Sequence, residues 1–249
     1  MAIKQIYQLY AELKDYSPKI WRRCEVVSNI TVARLGYILM TLFEMQASHL
    51  FSFDLPFSEN YRIRMADQYS PKEIDKLTRA FFTNNPVHRN LRLELKNEYA
   101  ESFPDAADAA EALLKNMLNL IGEQIYFTYD FGDNWEVVIK LENVYSDDTT
   151  PASDFPRVLG GAGFGIIEDC GGVHGLGELA AAYKKKSGEA YEEYSEWLGI
   201  TDLDLDSFDL NDMNFRLKKL PRIFRDIYEK ELEPTQRSID IIERKYLNG

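Results

Sequence analysis

Cysteine and histidine are scarce in this sequence of 249 residues. Its two cysteines, Cys24 and Cys170, do not make a disulfide framework, although a single bridge between them stays open. Long apolar runs are also lacking, since none approaches the length of about 18 residues that a membrane-spanning helix needs. The first residues, MAIKQIYQLYAELKDY, have no basic region followed by an apolar core, so they are not a signal peptide. We therefore expect a cytoplasmic protein that has no membrane contact.

Basic charge is outnumbered, with 29 Lys and Arg residues against 41 Asp and Glu residues and a net charge of -12. A surface of this sign repels phosphate, which disfavours direct binding of nucleic acid. The nearest basic patch is Trp21-Arg22-Arg23, but consecutive strand residues point to opposite faces, so the two arginines do not form a simple patch. The acidity is typical of a soluble protein, and it would also suit a basic protein partner.

Hydrophobic periodicity predicts strands and helices along the chain. Residues 6–13 alternate apolar and polar side chains and indicate a half-buried strand, which forms a hairpin with a second strand at 19–27. Apolar residues then recur at helical spacing from Val32 to Phe43, with Asn29 or Thr31 as the N-cap. The remaining predictions are strands at 49–55, 61–69 and 91–99, helices at 70–82 and 104–122, a hairpin at 123–145, an irregular glycine-rich stretch at 159–172 and helices from 176 onward.

Five segments occur in an order that resembles a known family. They are IWRRCEV at 20–26, HLFSF at 49–53, YDFGDNWEVVIKLENV at 129–144, EDCGG at 168–172 and FDLNDMNFRL at 208–217. The series is similar to the plasmid pRiA4b open-reading-frame-three-like family, whose members are sometimes labelled transposon passenger or resolvase-like. The resemblance implies one α+β domain with an antiparallel sheet packed by helices, and it implies no secure biochemical activity.

Pattern and resemblance together give the expected architecture. We expect the α+β class, with an antiparallel or mixed sheet packed by helices and a helical C-terminal third. The family-like domain is expected over residues 1–220, followed by a helical extension over 221–249. The chain departs from the family pattern at Phe51 and Val137, where the pattern usually has histidine, and at Ile166 and Ile167, where prolines are common. If those histidines serve a metal or a proton transfer in relatives, this chain lacks them.

A metal site is not favoured by the sequence alone. Zinc needs three or four converging nitrogen, sulfur or oxygen ligands, and the chain has three histidines with no CxxC or HExxH motif. His49 falls on an apolar strand face, where a hydrogen-bonded core histidine is the commoner role. We expect no metal and no cofactor, while a hard cation held by carboxylates stays open. The ligands considered are His49, Asp130, Asp133, Asp169, Cys170 and His174.

Catalytic interpretations compete with structural ones in the EDCGG segment. His174 lies four positions after Cys170 and could activate its thiol, but the flanking Glu168 and Asp169 oppose thiolate formation by like charge. Aspartates in glycine turns accept backbone N–H bonds, which explains the DFGD and EDCGG segments without chemistry. The candidate catalytic residues are Asp130, Asp133, Glu168, Asp169, Cys170 and His174.

The leading hypothesis is a non-enzymatic interaction or regulatory module of a mobile-element-associated family, with an acidic surface that faces a basic protein partner. The alternatives are a metal- or carboxylate-dependent hydrolase or nuclease-like enzyme and a nucleic-acid-binding protein. We also expect Arg22 or Arg23 to pair with Asp130, Asp133 or Asp169, so that EDCGG acts first as a scaffold. The candidate binding residues are Trp21, Arg22, Arg23, His49 and Trp135.

Overall fold

One mixed sheet organises the protein. The structure is a computed structural model that describes residues 3–85, 90–96 and 105–248. The strands in these ranges are β1 (Lys4–Leu13), β2 (Trp21–Val27), β3 (Phe51–Pro56), β4 (Asn90–Glu94), β5 (Ala107–Asp108), β6 (Gln124–Tyr129), β7 (Trp135–Asp147) and β8 (Arg157–Ala162). Their order across the sheet is β5-β4-β3-β6-β7-β1-β2-β8. The pairings are antiparallel except β4 with β5, which is parallel.

Helices alternate with the strands and follow them along the chain, which confirms the α+β class. In the same ranges the α-helices are α1 (Val32–Leu42), α2 (Phe57–Met65), α3 (Pro71–Asn84), α4 (Leu114–Met117), α5 (Gly172–Lys185), α6 (Glu189–Leu198), α7 (Leu210–Leu217), α8 (Leu220–Lys230) and α9 (Gln236–Ile242). Five of them lie after residue 171, so the helical C-terminal third is confirmed as well. Among the described residues, none of the helices combines the length and the apolar character needed to cross a membrane.

The core lies on one face of the sheet. In β1, Leu9 and Ala11 are fully buried, whereas the alternate residues Gln8, Tyr10 and Glu12 are half-buried. This is the alternation that the sequence predicts for a strand with one covered face. The polar face therefore stays available for side-chain pairs between neighbouring strands.

Helix α1 fills the centre of that core. All of its residues are buried except Arg34. The Thr31 hydroxyl accepts from the Arg34 backbone N–H at 3.1 Å, so the predicted N-cap is Thr31 rather than Asn29. Helix α8 packs against α1, and α7 packs against both α1 and β8. The predicted division between a domain and an extension at residue 220 stays a prediction.

The helix predicted at 104–122 is wrong over the residues that are described there, 105–122. That stretch forms β5 and the single turn α4 instead. The carbonyl of Ala112 accepts from the Val32 N–H at 2.8 Å, and the carbonyl of Ala109 accepts from the Ala33 N–H at 2.8 Å. The first backbone N–H groups of a helix have no acceptor within the helix. The alanine-rich segment supplies these acceptors to α1, and it does not form a long helix itself.

The short strand predicted at 61–69 is also wrong, because its first half belongs to α2. A short alternation of apolar and polar residues fits the period of a strand or that of a helix, and tertiary contacts decide which one forms. The carboxamide of Asn60 donates to the Gln124 carbonyl and accepts from the Gln124 N–H, both at 2.8 Å. This pair joins α2 to the beginning of β6.

The glycine-rich stretch predicted to be irregular begins as a regular strand, β8, which pairs with β2. Glycine is needed here because of close packing. A Cβ atom on Gly161 would lie 2.8 Å from the Trp21 carbonyl oxygen and 2.9 Å from Cδ of Arg22. The glycines that suggested a loop therefore make room for β2.

Arg22 is fully buried and is held by main-chain carbonyls and by rings. Its guanidinium lies 4.5 Å from the ring centroid of Phe208 and 5.4 Å from that of Phe43. Burial lowers the pKa of Arg22 to about 10, so the side chain is still charged at neutral pH. Its five N–H donors bind, at 2.7–2.9 Å, the carbonyl oxygens of Trp21, Leu42, Ala162, Gly163 and Phe164.

Arg23 points to the opposite face, as expected for the next residue of a strand. It makes a bidentate ion pair with Glu142 at 2.5 and 2.9 Å and lies near the rings of Tyr10 and Trp21. The expected ion pair between one of these two arginines and the acids of the DFGD or EDCGG segments is therefore wrong. Arg22 does bind the glycine-rich segment, but through its carbonyls and not through carboxylates.

Replacing Arg22 with Met should destabilise the fold strongly. Five buried carbonyls would lose their donors, and we expect a loss of about 3–5 kcal/mol in the free energy of unfolding. Arg23→Met is the matched control, because its ion pair is half-exposed and should contribute at most about 1 kcal/mol. Urea unfolding of the two variants measures the difference. Equal losses in both variants would contradict the structural role of Arg22.

Candidate functional site

Three loops meet at one end of the sheet. They are residues 43–50 before β3, the turn 130–134 between β6 and β7, and residues 163–171 between β8 and α5. Strand register brings the first two together, since Phe51 pairs with Tyr129 and the Asp130 N–H donates to the Leu50 carbonyl at 3.0 Å. Residues far apart in the sequence therefore converge here.

His49 lies at the centre of three carboxylates. Its Nε2 atom is 3.7 Å from Oδ2 of Asp130, 3.6 Å from Oδ1 of Asp169 and 3.9 Å from Oε2 of Glu168. These separations are too long for direct hydrogen bonds, which span about 2.7–3.2 Å. The ligand atoms of His49, Asp130 and Asp169 all lie within 4.8 Å of one another. The three acids thus surround the imidazole nitrogen without a direct hydrogen bond to it.

Glu168 anchors the third loop to the first. One carboxylate oxygen accepts from the Tyr129 hydroxyl and from the Gln46 N–H, both at 2.6 Å, and the other accepts from the Ser48 hydroxyl. Burial, together with the adjacent Glu168 charge, raises the pKa of Tyr129 far above its usual value, so its phenol stays protonated. Glu168 is therefore occupied by protein donors.

The backbone of His49 is fixed from the C-terminal helices. The hydroxyl of Tyr228, on α8, donates to the His49 carbonyl. The Tyr228 ring stacks on Tyr37 of α1 with centroids 5.8 Å apart, and burial raises the pKa of Tyr228 well above the ordinary tyrosine value. The position of the imidazole thus depends on packing between α1 and α8.

The turn and the EDCGG segment contact each other directly. Oδ2 of Asp133 accepts from the Gly171 N–H at 3.3 Å, and a Cβ on Gly172 would lie 2.6 Å from the Asp133 carbonyl oxygen. Oδ1 of Asp130 accepts from the Gly132 N–H at 2.9 Å, which leaves its Oδ2 directed to His49. These contacts agree with the scaffold role expected for the two aspartates of the turn.

Asp169 differs from the other acids because its side chain is 72% exposed. Its backbone has a φ of 61°, in the left-handed region that is uncommon for residues with a side chain. The conformation turns the carboxylate toward His49 at the open side of the cluster. Asp169 is thus the member of the cluster that is most accessible to solvent.

A family model described as plasmid pRiA4b ORF-3-like protein matches residues 5–214. The chain belongs to this family. It is 24% identical over 212 residues to the uncharacterized protein y4hQ of Sinorhizobium fredii, covering 85% of this chain and 90% of that protein. The crystal structure of MM3350, a protein of unknown function from Methanosarcina mazei Go1, has the same fold with a TM-score of 0.65 at 24% identity, covering 85% of this chain and 98% of that one. Neither relative has an assigned activity.

Two departures of this family member from the usual pattern fall in its core. Phe51 is 4% exposed and packs against Phe53 and Phe127, and Val137 is fully buried beside Phe127 in the sheet. Both side chains contribute apolar packing. Within the described ranges, the imidazole that meets the acids of this cluster comes from His49 alone.

Cys170 and His174 are not arranged for nucleophilic catalysis. The His174 side chain is 85% exposed, and its Nδ1 lies 3.8 Å from Glu178. The Cys170 thiol points to the Gly172 carbonyl at 3.8 Å, and burial followed by the Asp133 charge raises the pKa of this thiol to about 12. Both cysteines of this family member are free, so no bridge joins Cys24 to Cys170.

Two candidate binding residues have no exposed surface. Trp135 and Arg22 are both 0% exposed, so neither can contact a partner at the surface. Trp21 is half-buried and stacks on Tyr10 at 5.7 Å between centroids. Of the candidate binding residues, His49 is the one that lies in the cluster.

Sequence reasoning missed the residues that hold the cluster in place. Neither Tyr129 nor Ser48, which precedes His49, is among the candidate residues that the sequence predicts. Tyr228 carries no sequence signal, since it lies 179 positions from the residue that it binds. Such partners become visible only in three dimensions.

Gly175 should not tolerate alanine, because a Cβ atom there would lie 1.6 Å from the Cys170 carbonyl oxygen. We expect Gly175→Ala to cost about 3 kcal/mol or more in unfolding free energy. Gly177, on the same helix, has nothing within 4 Å of a Cβ. Gly177→Ala should therefore stabilise by up to about 1 kcal/mol through helix propensity. Chemical denaturation of both variants checks this, and a neutral Gly175→Ala would contradict the close approach of α5 to the EDCGG loop.

The native thiols should react slowly with a disulfide reagent at pH 8. Burial raises the pKa of both Cys24 and Cys170 to about 12, so little thiolate is present. We expect labelling at least about 100-fold slower than in the denatured chain. Cys170→Ser identifies the source of any fast phase. Rapid labelling that this variant removes would restore Cys170 as a candidate nucleophile.

Proposed function

We propose that the protein binds a divalent transition-metal ion through His49, Asp130 and Asp169, and that the ion supports hydrolytic chemistry. The observation that carries this proposal is the convergence of one imidazole nitrogen and two carboxylate oxygens within 4.8 Å of one another. The sequence predicts no metal, because it has three histidines and neither a CxxC nor an HExxH motif, and because His49 falls on an apolar strand face.

The donor separations support an ion more than a set of hydrogen bonds. Ligand atoms around a four-coordinate zinc ion with bonds of about 2.0–2.1 Å lie about 3.3 Å apart. The 3.6 and 3.7 Å distances from His49 to Asp169 and Asp130 require only a slight contraction to reach that spacing. Two facing carboxylates also gain from a cation that offsets their repulsion.

The mixed donor set favours one class of metal. Imidazole suits zinc and iron, whereas carboxylates also suit manganese, magnesium and calcium. One nitrogen with two oxygens therefore favours Zn²⁺ or Mn²⁺ over Ca²⁺, which takes six to eight oxygen ligands. Three protein ligands leave a coordination position for water or substrate, which is typical of catalytic sites.

Each residue has a distinct part in this proposal. His49 and Asp130 supply ligands from the buried side, and Asp169 closes the site from the exposed side. Glu168 positions Ser48 and the loop that carries His49, since its oxygens already accept three hydrogen bonds. A bound ion would polarise a substrate oxygen and lower the pKa of a bound water.

We favour this function over the interaction module because a docking surface does not require an imidazole surrounded by converging acids. The net charge of -12 fits either one. Contact with a basic protein and a cytoplasmic location therefore stay predictions, and binding of nucleic acid is disfavoured by the charge.

Zn²⁺ or Mn²⁺ should stabilise the chelator-treated protein. At a metal concentration 100 times the dissociation constant, binding contributes about 2.7 kcal/mol, which raises the melting temperature by roughly 5–10 °C. Asp169→Asn should abolish most of this shift, because it removes a ligand at an exposed position of low structural cost. Metal content after gel filtration and hydrolysis of p-nitrophenyl esters and phosphodiesters are measured on the same samples.

Two matched variants serve as controls. Asp67→Asn removes an exposed acid outside the cluster, and His174→Asn removes an exposed histidine. Both should retain the metal-dependent shift, whereas His49→Asn should lose it. Absence of any shift in the wild type, or an equal shift in Asp169→Asn, would refute the metal site. Binding without turnover would retain the site and remove the hydrolytic part of the proposal.

A further inference from the structure

Arg34 differs in burial from the other residues of α1, the central helix of the core. It is the one residue of α1 that is not buried, and it lies in the first turn of that helix. The first backbone amides of α1 already bind the carbonyls of Ala112 and Ala109 and the Thr31 hydroxyl. A ligand at the N-terminus of α1 would therefore have to be bound by side chains and not by these backbone N–H groups.

The positive charges around Arg34 are poorly compensated. Throughout residues 3–85, 90–96 and 105–248, neither the Arg34 guanidinium nor the Lys4 ammonium makes a hydrogen bond or an ion pair. The neighbouring Arg225 is engaged by Asp226 at 2.9 Å, and Glu229 accepts from the Tyr37 hydroxyl at 3.0 Å. Burial and Arg225 lower the pKa of Arg34, while Tyr37 and Glu229 partly offset this effect. Arg34 differs from the exposed cations of the surface because its side chain is half-buried.

Both free cations line the same cavity. Its volume is about 320 Å³, and its apolar wall includes Val26 and Ile38, each 1% exposed, and Phe155, 8% exposed. Asn29 adds a carboxamide to the wall. The combination is a mostly apolar cavity with a few polar groups, which is typical of sites for small molecules.

We propose that this cavity binds a small organic anion that joins a carboxylate or phosphate group to a compact apolar body. The planar guanidinium of Arg34 matches either oxyanion in a bidentate manner, and Lys4 adds a point charge. The apolar body lies against Val26, Ile38 and Phe155. A volume near the lower end of the range of about 300–1,000 Å³ for ligand sites limits that body to a small group.

This cavity is separate from the proposed metal site. Its walls come from β1, β2, residues 29–30, α1 and residues 152–156, and it shares no residue with the cluster around His49. Anion binding and metal binding can therefore fail independently. A variant of Asp169 that loses the metal should retain anion binding.

The simplest structural alternative is that Arg34 covers apolar surface with its stem and keeps its charge in water. In that case binding would not depend on the charge of the ligand. Matched probes distinguish the two cases. Phenylacetate and phenylacetamide have nearly the same shape but differ in charge. Phenyl phosphate changes the anionic group, and inorganic phosphate lacks the apolar body. Binding to the full-length chain is measured by calorimetry and by NMR line broadening of the probe.

We expect phenylacetate or phenyl phosphate to bind at least about tenfold more tightly than phenylacetamide, and more tightly than inorganic phosphate. The preferred anion of the two identifies the ligand head group. Arg34→Met keeps the apolar stem and should weaken binding of the anion at least about tenfold, and Lys4→Met should weaken it by a smaller factor. Arg62→Met, on the distant α2, removes an exposed arginine and should leave binding unchanged.

Thermal melting of Arg34→Met gives a second readout that needs no ligand. Because no ion pair or hydrogen bond of its guanidinium is lost, the melting temperature should stay equal to that of the wild type or rise. If Arg34→Met does not fold, Lys4→Met provides the binding test. Equal affinity for phenylacetate and phenylacetamide, or unchanged anion affinity in both Lys4→Met and Arg34→Met, would overturn the proposal.

Discussion

The charge of Arg22 at the centre of the fold is the constraint on which the site depends. Its guanidinium binds the last carbonyl of α1, at Leu42, and the carbonyls of Gly163 and Phe164 just after β8. The loop that carries His49 begins at the first of these points, and the loop that carries Glu168 and Asp169 begins at the second. One buried side chain thus fixes the starting points of two of the three loops that supply the cluster.

A second buried ionic group reinforces the same region. Glu44 accepts from Arg216 of α7 at 2.5 Å and from Arg244 at 2.8 Å. Gly165 packs against it so closely that a Cβ would lie 2.7 Å from Cγ of Glu44. Breaking such a buried pair costs more than the pair contributes, because the remaining charge keeps its desolvation penalty. The loops of the cluster are therefore held by charge on one side and by backbone contact on the other.

Periodicity predicted six strands of the sheet (β1–β4, β6 and β7) and α1, because burial of one face or one stripe leaves a regular pattern, but it predicted neither β5 nor β8. It failed at 104–122 and 61–69, where backbone contacts with distant segments decide the structure. The separate candidates His49, Asp130 and Asp169 were recognised from residue type. Their convergence was not, since it depends on strand register and on left-handed backbone at Asp169. Arg22 was assigned to acids because sequence reasoning cannot foresee carbonyls as its partners.

The hydrogen bond from Tyr228 to the His49 carbonyl joins the cluster to the C-terminal helices. Tyr228 lies beyond residue 214, where the match to the family model ends. A histidine within the shared segment is thus oriented by a residue outside it. Truncation of this chain before α8 would therefore remove a support of the imidazole while leaving every residue of the matched segment in place.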